Sequence, residues 1–144
     1  MNPWNIVKYA ESHFDGVAAL WQEAFPNPQP WNTPEVTIPA KLAMHQDLFL
    51  VAMDDGDRII GSVLAGYDGH RGWLYAVAVL KEHRRRGVGS ALVGEAERRL
   101  RELGCVKINL QIQSANASVT EFYRRLGYEV EERVSMGKRL GRFA

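Results

Sequence analysis

Residues 84–90 read Arg84-Arg85-Arg86-Gly87-Val88-Gly89-Ser90. Two glycines and three arginines this close together are equipped to bind an anion. Glycine lets the main chain approach a ligand without a side chain in the way. Arginine brings up to five N–H donors in a planar fork. A helix that starts here adds unpaired main-chain N–H groups and the positive end of its dipole, and both favour phosphate. Two familiar phosphate loops do not fit. The chain has no Gly-x-x-x-x-Gly-Lys-Ser/Thr segment. Of the three glycines in the dinucleotide fingerprint, Gly87 and Gly89 supply two and Leu92 stands at the third. That fingerprint also belongs near the first strand of a repeated βαβ unit, whereas this one lies past the middle of the chain.

The flanking residues supply the elements that position the turn. Trp73 to Val79 is apolar and rich in Val and aromatics, as in a buried strand. Val88, Ala91, Leu92, Ala96, Leu100 and Leu103 follow at helical spacing. The arginine–glycine run is therefore a strand-to-helix turn. Ahead of it, Ile6 to Tyr9 reads as a strand, and Ser12-x-x-Asp15 reads as a capping box opening a helix through Phe25. Pro26, Pro28, Pro30 and Pro34 enforce a loop. A helix is expected over 38–45, and strands over 48–53 and 58–67 joined by a turn containing Asp55-Gly56. After the long helix, Val106 to Ile112 alternates as a strand. Asn116 or Ser118 caps a helix ending near Gly127, and Tyr128 to Leu140 reads as one or two closing strands. The order is β-α-α-β-β-β-α-β-α-β(-β), a mixed α/β (α+β) chain with helices covering a mixed sheet.

The 144 residues suit a single domain, 1–144, and 46% hydrophobic content is enough for one core. A formal net charge of +1 argues against general nucleic-acid binding. No apolar run approaches the roughly 18 residues of a membrane span, so neither nucleic acid nor membrane is an expected partner. The lone Cys105 cannot form an internal disulfide. It reads as a buried inert thiol in a reducing, cytoplasmic compartment.

Two motifs in order carry a resemblance to a known family. Tyr75-Ala76-Val77-Ala78-Val79 followed by Arg84-x-x-Gly87-x-Gly89 resembles motif A of the GCN5-related N-acetyltransferases (GNAT). Asn116 with Phe122-Tyr123-Arg124-Arg125-Leu126-Gly127-Tyr128 resembles that family's later helix. Pro30-Trp31-Asn32, Tyr67 to Gly72 and Ser135 to Leu140 are similar to the YpeA-like bacterial subgroup. Lys81 departs from the pattern, because family members often carry proline there, and a looser loop is expected.

The resemblance implies a mixed, mainly antiparallel sheet flanked by helices. It implies an acetyl-CoA-dependent N-acetyltransferase that passes acetyl directly to a primary amine, of a small molecule or of a peptide or protein. It also implies a homodimer and no metal. Amides of Arg85, Arg86, Gly87, Val88, Gly89 and Ser90 would cradle the pyrophosphate, with Arg84 beside them. Main-chain groups of Val77 and Val79 would pair with the pantetheine arm. Asn116 would hydrogen-bond the coenzyme, and Tyr123 would contact it as the general acid. The central strand offers no carboxylate as base, which leaves Tyr75 and Asp68 near the acceptor with water as carrier. Trp31, Asn32, Glu35 and His70 are the expected acceptor-side residues. The missing carboxylate also keeps open a non-catalytic acyl-CoA sensor.

Overall fold

The computed structural model describes residues 3–113 and 116–141. It divides into two compact units, Met1–Leu110 and Gln111–Ala144. The first unit holds one five-stranded sheet in the order β1-β2-β3-β4-β5. The strands are β1 (Trp4–Lys8), β2 (Phe49–Asp54), β3 (Ile59–Tyr67), β4 (Gly72–Val79) and β5 (Ile108–Asn109). The first four run antiparallel to their neighbours, and β4 pairs β5 in parallel. A parallel pair needs a long crossover, and helix α3 (Val88–Glu102) supplies it. Helices α1 (Phe14–Ala24) and α2 (Pro34–His45) precede β2. The mixed α/β class and its mainly antiparallel sheet are as expected.

β2 and β3 are buried almost throughout, which is why Phe49–Ala52 is a continuous apolar run and Ile59–Ala65 is interrupted by only one polar residue, Ser62. Two glycines let the layers close. A Cβ on Gly61 would lie 2.8 Å from Leu92 Cδ1, 3.1 Å from the Ala78 carbonyl and 3.2 Å from Val88 Cγ1. A Cβ on Gly16 would lie 2.5 Å from Ile59 Cγ1. α3 is thus pressed on β3 at Gly61, while α1 is pressed on Ile59. Cys105 is buried with its Sγ against Gly72, as its inert reading requires.

Several boundaries differ from the sequence reading. Ser12 does not cap α1. The chain enters through a short 3-10 turn over Glu11–His13, and His13 Nδ1 accepts from Ala10 N at 2.9 Å. α2 begins at Pro34, four residues before the expected start, because a proline at the first helical position costs no hydrogen bond. β5 keeps only Ile108 and Asn109 of the expected Val106–Ile112, and Val106 is 90% exposed.

The second unit holds α4 (Ala117–Arg125). It ends where Gly127 takes φ 96°. Tyr128 N donates to Tyr123 O and Gly127 N to Arg124 O, both at 3.0 Å, the paired bonds of a Schellman stop. The expected closing strands are absent: residues 128–140 form no strand. Glu132 breaks the apolar alternation, and Val130, Val134, Met136 and Leu140 are 69–91% exposed. Without a ladder partner or a buried face, β propensity alone does not make a strand.

Gly61→Val should lower stability by about 2 kcal/mol through overpacking beneath α3. Urea unfolding followed by far-UV circular dichroism checks this.

Candidate functional site

The strand that leads to the phosphate-type turn is bent where it could meet a ligand. Between the pairs Ser62↔Ala78 and Leu64↔Tyr75, two steps along β3 face three along β4. The extra residue is accommodated at Ala76, whose φ is 48°. This left-handed conformation costs an L-residue about 1–2 kcal/mol. Two buried hydrogen bonds hold it. Ser62 Oγ donates to the Ala76 carbonyl at 2.8 Å, and Trp21 Nε1 of α1 donates to Ser62 Oγ at 2.9 Å. Ser62 is fully buried, so losing either bond would strand a polar group away from water. On its other edge β4 pairs only at Gly72 and Trp73, with Ile108 and Asn109. A bulge bends its strand and raises the local twist. From Leu74 onward the outer edge of β4 has no strand partner among the described residues.

That edge runs directly into the turn. Lys81–His83 forms a short 3-10 segment. Arg85 and Gly87 then take φ values of 65° and 85°, either side of Arg86. Left-handed residues in such a turn gather successive amides into an anion-binding concavity. Gly87 is the N-cap of α3 and offers no side-chain cap. Ala91 N makes the helical bond to Gly87 O at 3.0 Å, so the amides of Val88, Gly89 and Ser90 precede the helical ladder. The three arginine side chains are exposed. Arg84 Nε donates to Val79 O at 3.2 Å, tying the turn to the end of β4.

Lys81 explains how the loop is held where a proline was expected. Its main-chain N–H donates to Glu23 Oε2 of α1 at 2.8 Å. Proline could not make that bond. The loop is therefore fastened by a carboxylate, and the expected looseness does not arise there.

Tyr75 and Trp73 stack with ring centroids 6.4 Å apart. Tyr75 is 53% exposed, and burial of its ring, with Asp68 nearby, raises its pKa. Asp68 accepts from the amides of His70 at 2.8 Å and Arg71 at 2.7 Å. Those bonds hold its carboxyl below the usual range, so it shapes the turn and is a weak base. His70 is exposed in that turn. Trp31 and Asn32 lie in a 3-10 turn over Pro30–Asn32, and Glu35 is exposed in the first turn of α2.

The residue reading missed Lys41, Ser62 and Trp21 as site residues. Lys41 lies three positions after the buried Ile38, a core-facing helical phase. Its ammonium donates to the Ala65 carbonyl over Gly66, where the Tyr75 ring also approaches. Burial lowers its pKa to about 8. In the second unit, Asn116 Oδ1 accepts from Val119 N at 3.4 Å and caps α4. Tyr123 is buried, with Phe122 and Tyr128 at its edges. Burial raises its pKa to about 12, so the phenol keeps its proton at neutral pH.

The sequence pattern of the Acetyltransferase (GNAT) family matches residues 14–128. The chain belongs to the GNAT acetyltransferase family. An acetyltransferase of Pectobacterium atrosepticum is 41% identical over 132 residues, 92% of each chain. An acetyltransferase of Yersinia enterocolitica is 40% identical over the same share. Among solved structures, Ard1 from Thermoplasma volcanium aligns with a TM-score of 0.81 at 21% identity, over 90% of this chain and 85% of that one. The aminoglycoside acetyltransferase AAC(6')-Iy, in complex with a CoA-based bisubstrate analogue, aligns with 0.79 at 21% identity, over 96% and 99%. The protein is thus an acyltransferase of GNAT type. The sensor reading gives way to the enzymatic one. No helix among the described residues is long and apolar enough to cross a membrane.

Lys41 fixes one pH dependence of this acetyltransferase. The unfolded chain keeps the Lys41 proton to its ordinary value of 10.5, while the folded protein releases it near 8. Between those values the unfolded state binds more protons, so stability rises with pH as the buried charge is relieved. Lys41→Met should raise Tm at pH 7 by about 3 °C, a modest gain because the group is only partly shielded from solvent. Calorimetric scans should show that gain vanishing by pH 10.5.

Proposed function

We propose that this acetyltransferase moves the acetyl group of acetyl-CoA directly onto a primary amine while both substrates are bound. The observation that carries this reading is the unpaired, bulged edge of β4 continuing into the amide-rich turn of residues 85–90. A pantetheine arm needs main-chain partners along an open strand edge, and a pyrophosphate needs converging N–H groups. The open edge of β4 suits the first, and the turn of residues 85–90, which follows after residues 80–84, suits the second. When bound, the coenzyme supplies an activated thioester. The chain's contribution is to align and polarise it. A main-chain N–H near Val77 aimed at the thioester oxygen stabilises charge developing there, by about 3 kcal/mol for one well-placed donor.

Tyr123 is assigned as general acid on its motif match and on its retained proton, which a phenol near a departing thiolate can donate. Asn116 caps α4 through its carbonyl oxygen, and its amide group is left for the coenzyme. Tyr75 and Trp73 form the acceptor wall on the face shared with Lys41. Asp68 is the less suitable base because its carboxylate is held by the turn. Water leading past Tyr75 is therefore the proton path from the amine. Trp31, Asn32, Glu35 and His70 are kept as acceptor-side residues on the resemblance. We read the chain as one functional domain, since the family match runs through residues of both units. The single free thiol suits the cytoplasm. The exposed Val134, Met136 and Leu140 suit cover by a second copy.

Calorimetric titration with acetyl-CoA tests the reading. Binding is expected in the wild type, and Gly89→Trp should abolish it by filling the pyrophosphate cradle. Equal affinity in both would remove the assignment. In a thiol-release screen across small amines and peptides, Tyr123→Phe should lower kcat about 100-fold and change acetyl-CoA affinity less than twofold.

A further inference from the structure

The strained residue on β4 is alanine, not glycine, and nothing in its own side chain favours a φ of 48°. A conformation of that kind persists only where its surroundings impose it, and such positions gather at functional sites. Here one surrounding group touches the strained peptide directly. Ser62 Oγ donates to the Ala76 carbonyl, and it has no exposure to solvent. Its hydroxyl has one proton, and that proton is committed to Ala76. The direction of the bond is fixed from the far side, because Trp21 Nε1 can only donate and occupies the Ser62 oxygen. Trp21 is itself buried on α1. The chain Trp21 N–H to Ser62 O–H to Ala76 C=O therefore has a single polarity. It joins α1 to the bulge across β3.

We propose that Ser62 and Trp21 are positioning residues for acetyl transfer: their relay locks the peptide after Ala76 so that the following amide of β4 faces the thioester carbonyl. The carbonyl of Ala76 and the N–H of Val77 belong to one planar peptide unit. Holding the oxygen toward Ser62 therefore directs that N–H away from Ser62, toward the side of the bulge where the β4 edge is open. Neither side chain touches substrate. The relay acts by keeping one donor aimed before the coenzyme arrives, and preorganisation of this kind is what makes a donor effective.

This inference rests on the reading of the β4 edge as the thioester site, and the two can fail separately. The experiment is difference infrared spectroscopy of acetyl-CoA labelled with carbon-13 at the thioester carbonyl, with binding measured in parallel. Wild type should bind the coenzyme and lower the carbonyl frequency relative to free acetyl-CoA. Ser62→Ala should still bind within about threefold, lose most of that shift, and lose at least tenfold in kcat. Trp21→Phe keeps the Ser62 bond but frees its direction, so it should give an intermediate shift. Val17→Ala, a buried α1 change outside the relay, controls for lost stability and should keep the full shift. Should Ser62→Ala not fold, Trp21→Phe and Val17→Ala still divide the outcomes. No binding by wild type would overturn the site reading itself. Binding with a full carbonyl shift in Ser62→Ala, or in Trp21→Phe when Ser62→Ala does not fold, would overturn the relay alone. A shift lost equally in Val17→Ala would also overturn it, because general loosening would then explain the effect.

Discussion

The structure depends on how β4 is held out of regular pairing. A flat β4 would extend its contact with β5 beyond Gly72 and Trp73. Its edge would then be spent on the sheet. The positive φ of Ala76 prevents that, and the buried Ser62 and Trp21 hold it in place. The cost of one strained residue and one buried hydroxyl is small beside the burial of the strands around it. Its return is an open edge of main-chain groups next to a glycine turn.

The rest of the first unit fixes the neighbours of that edge. Gly61 lets α3 approach β3 at Val88 and Leu92, the start of the helix whose first amides face the turn. Glu23 fastens the loop after β4 through Lys81 N, and Arg84 ties back to Val79 O. The turn is thus located by α1, by β4 and by the packing of α3. The exposed arginines are not what shapes it. Their positive charge suits an anion, while the amides and the two glycines give the place its form.

Much of this was legible in the sequence, and the failures have physical causes. Gly87 and the apolar period from Val88 to Leu100 marked the turn and α3. The Asp55-Gly56 pair marked a turn that does form, where Asp54 Oδ1 accepts from the amides of Gly56 and Arg58. The bulge was invisible because Ala76 sits in an unbroken apolar run, and alanine carries no local signal for positive φ. Ser62 did leave a trace as a polar residue between Ile59 and Ala65, since a buried hydroxyl must find partners. Its partner Trp21, 41 residues away, is a tertiary fact. Lys41 was hidden in the same way, since its helical phase shows burial but not the carbonyl it meets. The closing strands failed because alternation over 128–140 has no neighbour to pair with and is broken at Glu132. The two motifs that carry the family resemblance survived these errors because each depends on local spacing.

The most direct measurement is a titration of nitrogen-15-labelled protein with coenzyme A, following backbone amide signals. The predicted result is saturable shifts concentrated at Ala76–Val79 and Arg85–Ser90, with the strand edge and the turn reporting one affinity. Shifts confined to other surfaces, with those two segments unmoved at saturation, would contradict the assignment of the bulged edge and its turn as the coenzyme site.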